Sequence, residues 1–202
     1  MKILLATRNK KKLVELQRIL IDVALVGLAD VPAYEEVPES GLTFEENALI
    51  KAREGVARTG LPTVADDSGL AVDVLNGMPG VFSARWSGVH GDDAGNLALV
   101  LAQIGDVPDS ARGAAFVCSA ALALPDGREW TVTRGMPGRL IRASRGENGF
   151  GYDPIFVAEG QTRTNAELTP DEKDAISHRG KAFRALAEII TAELTDPSAA
   201  DT

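Results

Sequence analysis

Leu61-Pro62-Thr63-Val64-Ala65-Asp66-Asp67-Ser68-Gly69 is the stretch on which the reading of this chain turns. Leu61 to Ala65 is apolar and strand-like, and it ends abruptly in two adjacent carboxylates, a hydroxyl and a glycine. Neighbouring acids repel each other and are poor strand formers, so local folding preference does not explain them. Acids at the end of a buried strand are where α/β proteins often place metal ligands or a general base. The plainer alternative is a polar turn that closes a strand. If the strand persists as far as the acids, alternation sends their side chains to opposite faces, and they are not a dyad sharing a proton.

Working outward, Thr43-Phe44-Glu45-Glu46 is a capping-box pattern that predicts a helix to about Thr59, stopped by Gly60 and Pro62. Before it, Lys2 to Thr7 reads as a strand, and Lys10 to Ile21 carries Leu13, Leu16, Ile19 and Leu20 at helical spacing. Beyond the acids, Asp92 or Asp93 opens a helix with an apolar face of Leu97, Val100, Leu101 and Ile104, ended by Gly105. Gly113 to Leu124, an Asp126-Gly127 turn and Glu129 to Thr133 then predict a long hairpin. Arg134 to Asp153, rich in glycine and arginine, reads as loop with one short strand. Thr169-Pro170-Asp171-Glu172 is a second box, opening a helix broken near Ser177 that carries Phe183, Leu186, Ile189 and Ile190. Strand–helix alternation followed by a hairpin indicates an α/β fold with a mixed central sheet and flanking helices. Residues 1–195 are expected to form a single domain, with 196–202 a flexible tail.

The 202 residues are enough to bury a real core. A net charge of −8 argues against a nucleic-acid polymer as partner, which needs a basic face. Yet Lys2, Arg8, Lys10, Lys11, Lys12 and Arg18 crowd the first eighteen residues against one acid, Glu15. That local cluster suits a small anionic ligand. The single cysteine, Cys118, excludes an internal disulfide and a multi-cysteine zinc site. Met1 to Ala6 is apolar too briefly for a secretory leader and no run is long enough to span a membrane, so the expected location is cytoplasmic.

Four clusters carry chemistry. Thr7-Arg8-Asn9-Lys10-Lys11-Lys12 lies between a predicted strand and a helix N-terminus, where free N–H groups and the helix dipole favour an anion. It is not a P-loop, and the alternative is a solvated basic helix start. Glu35, Glu36 and Glu39 precede the second helix. Glu39 with the acids at 66 and 67 would supply the carboxylate oxygens that a hard cation such as Mg²⁺ needs. A basic loop together with clustered acids is the signature of a Mg²⁺–nucleotide site. Ser68 suits contact with a phosphate or a turn better than nucleophilic attack, since Gly-x-Ser-x-Gly is absent. In Phe150-Gly151-Tyr152-Asp153-Pro154 the glycines allow close approach, and the aromatics either stack a base or plug the core. Lys173 with Ser177-His178-Arg179-Gly180 gathers several hydrogen-bond donors.

Six ordered blocks at compatible spacing resemble the inosine triphosphate pyrophosphatase family from Leu4 to about Leu186. They are Leu5-Ala6-Thr7-Arg8-Asn9 with Lys12, Gly41-Leu42-Thr43-Phe44 with Glu46-Asn47-Ala48, and Ala65-Asp66-Asp67-Ser68-Gly69-Leu70. Then come Pro79-Gly80 with Ser83-Ala84-Arg85, Gly149-Phe150-Gly151-Tyr152-Asp153-Pro154, and Ser177-His178-Arg179-Gly180. The resemblance implies an elongated sheet with two lobes around an active-site cleft, a homodimer, and Mg²⁺-dependent hydrolysis of ITP, dITP and XTP to monophosphate and pyrophosphate. By motif position it implies that Asp67 is the general base, that Glu39 and Asp67 are the metal carboxylates, and that Thr7, Arg8, Asn9, Lys10, Lys11 and Lys12 hold the triphosphate. Ser68 becomes a substrate contact, and Phe150, Gly151, Tyr152, Asp153, Lys173, His178 and Arg179 surround base and sugar. Asp66 becomes the supporting residue, and a secondary candidate for the metal if the strand bends early. The rival readings are a related pyrophosphatase for pyrimidine or modified nucleotides and a nucleotide-sensing module without catalysis.

Overall fold

A computed structural model describes residues 2–8, 14, 16, 24–35 and 37–195. Strands β1 (Ile3–Leu5) and β2 (Leu25–Gly27) come first, then helix α1 (Phe44–Thr59) and strand β3 (Thr63–Val72). Helix α2 (Asp93–Gln103) precedes strands β4 (Gly113–Ala123), β5 (Glu129–Leu140) and β6 (Phe156–Ala158), and helices α3 (Pro170–Ile176) and α4 (His178–Thr195) follow. Among the described residues the strands form one open sheet in the order β2-β1-β3-β4-β5-β6. It is mixed: β1 runs parallel to β2 and β3, and β6 runs antiparallel to β5. The expected helix over Lys10 to Ile21 lies outside the described residues except for Val14 and Leu16, both helical.

The described chain divides into two compact units. One draws on Met1–Asp67, Ser119–Thr133 and Arg179–Thr202, the other on Ser68–Cys118 and Arg134–His178. Strands β3, β4 and β5 each contribute residues to both.

In the first unit α1 is held at both ends as its sequence requires. Thr43 Oγ1 accepts from the Glu46 amide at 3.1 Å, the Glu46 carboxylate accepts from the Thr43 amide, and Gly60 closes the helix in the left-handed region with its N–H on Val56 O. Thr43→Ala should therefore cost about 1 kcal/mol, lowering the melting temperature by about 2–4 °C, while Thr43→Ser should melt like the parent. The buried face of α1 is small. Ala48 and Ala52 meet Ala6, Ala65, Ala121 and Ala123, and Gly55 sits where a Cβ would come within 2.5 Å of Thr63 Cγ2. This seam brings the polar residues of the same helix face close to the strands. The second unit has a bulkier core that includes Leu70, Val100, Ile104, Phe116, Met136, Leu140, Tyr152 and Phe156.

Two sequence expectations need correction. The strand expected to stop at Ala65 continues through both acids to Val72. Its residue Gly69 admits Gly80 O and Ser83 Oγ to positions 2.5 and 2.4 Å from where a Cβ would stand, and the Leu70 amide donates to Ser83 Oγ. Likewise, the segment from Arg134, expected to be loop with one short strand, continues β5 unbroken to Leu140. There the glycine serves close packing, because a Cβ on Gly138 would lie 2.3 Å from Val157 O on β6. The break expected near Ser177 is present, with Ser177 extended between α3 and α4.

Candidate active site

In the first unit, strand alternation separates the two acids. Asp67 meets α1: its Oδ2 accepts from Asn47 Nδ2 at 3.1 Å, and its Oδ1 lies 3.8 Å from Lys51 Nζ. Asp66 instead meets α4, with Oδ2 3.3 Å from Arg179 Nε. Asn47 and Lys51 are four residues apart, hence on one helix face. Lys51 also donates to Glu39 Oε1 at 2.7 Å. One ammonium thus stands between carboxylates from two separate segments. Burial disfavours the Lys51 charge, but Asp67, Asp66 and Glu39 together outweigh it and raise its pKa above the ordinary lysine value.

That convergence tests the fit of a metal. Glu39 and Asp67 direct hard oxygen donors to a common cationic head, which is the donor chemistry Mg²⁺ takes. Among the described residues no group of three or more His, Cys, Asp or Glu side chains forms a protein cage. Mg²⁺ characteristically uses one or two carboxylates, waters and substrate phosphates, so the residues present fit it. Of the phosphate-loop candidates, Thr7 donates its amide to Leu5 O and Arg8 bonds Tyr34 O. Asn9, Lys10, Lys11 and Lys12 lie outside the described residues. A surface hollow lined by Ala6, Arg8, Tyr34, Val37, Lys51 and Glu54 adjoins this group.

In the second unit Asp153 is a buried hub. Its Oδ2 accepts from Lys173 Nζ at 2.7 Å and from the Phe150 amide at 2.9 Å, and its Oδ1 accepts from Asn165 Nδ2 at 3.1 Å. The Lys173 ammonium lies 5.0 Å from the centre of the half-buried Phe150 ring, within cation–π range. Tyr152 is core: its hydroxyl donates to Ser83 O at 2.9 Å, and burial, with the Asp93 charge adding, pushes its phenol pKa up. His178 is buried and stacks on Phe116 with ring centres 5.0 Å apart. Ser68 stands half-buried on β3. The Asp153 hub thus gathers Phe150, Asn165 and Lys173, whereas Arg179 goes to Asp66.

Sequence reasoning missed Asn47 and Lys51 as site residues, and also Asn165. For the first two a signal existed: a polar i, i+4 pair on the helix face otherwise made of Ala48, Ala52 and Gly55.

The model of the Ham1 family matches residues 3–189. The chain belongs to the Ham1 family. Among Ham1-related proteins, the dITP/XTP pyrophosphatase of Mycobacteroides abscessus is 63% identical over 195 residues, covering 94% of this chain and 95% of that protein. That of Nocardia farcinica is 61% identical over 196 residues, covering 95% of each. A crystal structure of a nucleoside-triphosphatase, dITP/XTP pyrophosphatase, from Mycobacterium abscessus superposes with a TM-score of 0.78 at 66% identity, covering 92% of this chain and 98% of that one. The Staphylococcus aureus Ham1 protein reaches 0.86 at 35% identity, covering 96% and 100%. Relatives so named bear out the resemblance read from the six sequence blocks. The open mixed sheet of this Ham1 chain is the one its structural relatives share.

Proposed function

We propose that this chain is a nucleoside triphosphate pyrophosphohydrolase acting on the non-standard purine nucleotides ITP, dITP and XTP, releasing monophosphate and pyrophosphate with Mg²⁺. The observation that carries it is Asp67, held by Asn47 beside Lys51 and Glu39, in a chain whose relatives are dITP/XTP pyrophosphatases.

In this reading Glu39 and Asp67 hold the metal. A bound divalent cation neutralises charge that develops on phosphate oxygens. Asp67 orients a water for in-line attack on the α-phosphorus and takes its proton, while the Asn47 amide fixes the rotamer of the base. Lys51 is kept charged by its acidic neighbours, and it adds positive potential where the triphosphate lies. Thr7, Arg8, Asn9, Lys10, Lys11 and Lys12 bind the phosphates, with Ser68 a further contact. The base and sugar fall to Phe150, Gly151, Lys173 and His178, with Asp153 holding Phe150 and Lys173 in place and Tyr152 anchoring the loop.

Donors from Lys173 and His178 suit the six-carbonyl of hypoxanthine and xanthine. They mismatch the amino group of adenine, at about 1–3 kcal/mol for each buried group left unsatisfied. The proposal includes the homodimeric state and cytoplasmic location.

The test is pyrophosphate release from ITP, dITP, XTP, GTP, ATP and dTTP, with and without Mg²⁺. Release from the first three, with Mg²⁺ present, is the expected result. Preference for dTTP would transfer the reading to pyrimidine nucleotides, and no release from any would make the chain a nucleotide sensor.

A further inference from the structure

The loop Gly149–Asp153 is held from two sides, and only one of them lies within the recognised motifs. Inside the loop, Asp153 accepts from the Phe150 amide. From outside, Asp93 Oδ2 accepts from the next amide, that of Gly151, at 3.0 Å. Gly151 is in the left-handed region at φ +59, so its N–H is directed by a backbone turn that few other residues would adopt.

The local capping task falls to the neighbour of Asp93. Asp92 is the N-cap of α2 and accepts from the Gly95 amide at 2.9 Å, whereas Asp93 is the first helical residue and reaches across 58 positions of sequence. In the same turn, buried Asn96 accepts from the Ser87 amide at 2.7 Å. The first turn of α2 therefore fastens two loops.

The other end of the helix is fixed as well. The buried Arg112 guanidinium donates to Ile104 O, Leu140 O and Ile141 O, and Arg142 donates to Gly105 O, Val107 O and Asp109. A helix clamped to strand residues at its C-terminus gives Asp93 a defined position, and through Gly151 it sets the backbone that carries Phe150 and faces Lys173.

We propose that Asp93 is a positioning residue for nucleobase recognition: its bond to the Gly151 amide holds Phe150 in the geometry that receives the base. This rests on the functional reading above, in which Phe150 and Lys173 meet the base.

The test compares Asp93→Ala with Asp93→Asn. Both remove the charge at the helix N-terminus, but asparagine keeps an oxygen that can accept from Gly151. Asp93→Ala should raise KM for dITP and XTP about tenfold, with kcat held within about twofold. Asp93→Asn should restore KM to within about threefold of the parent. Amide hydrogen exchange at Gly151, measured without nucleotide, should accelerate at least about tenfold in Asp93→Ala and recover in Asp93→Asn.

Equal losses in the two variants would assign the effect to the helix dipole and overturn the proposal. So would a fall in kcat at constant KM, or unchanged Gly151 exchange in Asp93→Ala. A parent protein inactive on both nucleotides would overturn the functional reading and the KM claim together, with the exchange data still deciding whether Asp93 holds the loop.

Discussion

Asp67→Asn should reduce turnover of dITP by roughly 10²- to 10⁴-fold while nucleotide affinity changes far less. The substitution keeps the shape of the side chain, and its amide can be oriented so that its carbonyl oxygen still accepts from Asn47 Nδ2. What it removes is the basic lone pair and the negative charge. An amide does not take a proton from water at neutral pH, so the attacking nucleophile loses its base. The side chain also loses most of its attraction for a cation, which weakens the metal ligation proposed for Glu39 and Asp67. Lys51 is not left stranded, because its 2.7 Å bond to Glu39 survives. The fold should therefore persist, and a thermal melt close to that of the parent is the control. Rapid-quench pyrophosphate release under single-turnover conditions, alongside equilibrium binding of dITP with Mg²⁺, separates chemistry from affinity. A rate near that of the parent would remove Asp67 as the base.

Asp67 stood out as a candidate because two acids on a strand break a local rule, and such breaks concentrate at functional sites. Alternation then predicted that the pair would part, and they do, Asp67 to α1 and Asp66 to α4. Capping signals were legible for a similar reason: Thr43 with Glu46 and Thr169 with Glu172 act within four residues. Lys51 taken alone was not legible, and only its i, i+4 spacing from Asn47 marked it. A lysine on an amphipathic helix reads as solvated surface, and only the alanine seam with Gly55 brings that face near the acids. The extension of β5 was hidden because Gly135, Pro137 and Gly138 mimic loop composition, although Val132, Met136 and Leu140 keep a buried spacing. Partners such as Asp153 with Asn165, or Asp93 with Gly151, join segments through packing that no local pattern encodes.

Arg179 carries the second large effect, and it is one of stability. Its guanidinium and the Asp66 carboxylate are both almost wholly buried, with side chains 3% and 1% exposed, and they meet across 113 positions of sequence. Arg179→Met fills comparable volume but leaves the Asp66 charge in the interior without this guanidinium. Breaking a buried pair from one side costs about 3–5 kcal/mol, whereas replacing both partners is often close to neutral. The single variant should therefore unfold at markedly lower urea, and Asp66→Asn/Arg179→Met should recover more than half of the loss. Arg179→Lys should sit between them, because the ammonium keeps the charge but not the planar fork. A loss below about 1 kcal/mol in Arg179→Met would contradict a pair that matters to the fold. The same series also separates two roles for Arg179. If it only braces Asp66, the double variant, once folded, should keep the parent's preference for dITP over dATP. If that preference collapses although stability has returned, Arg179 contacts the base itself, as its motif position implies.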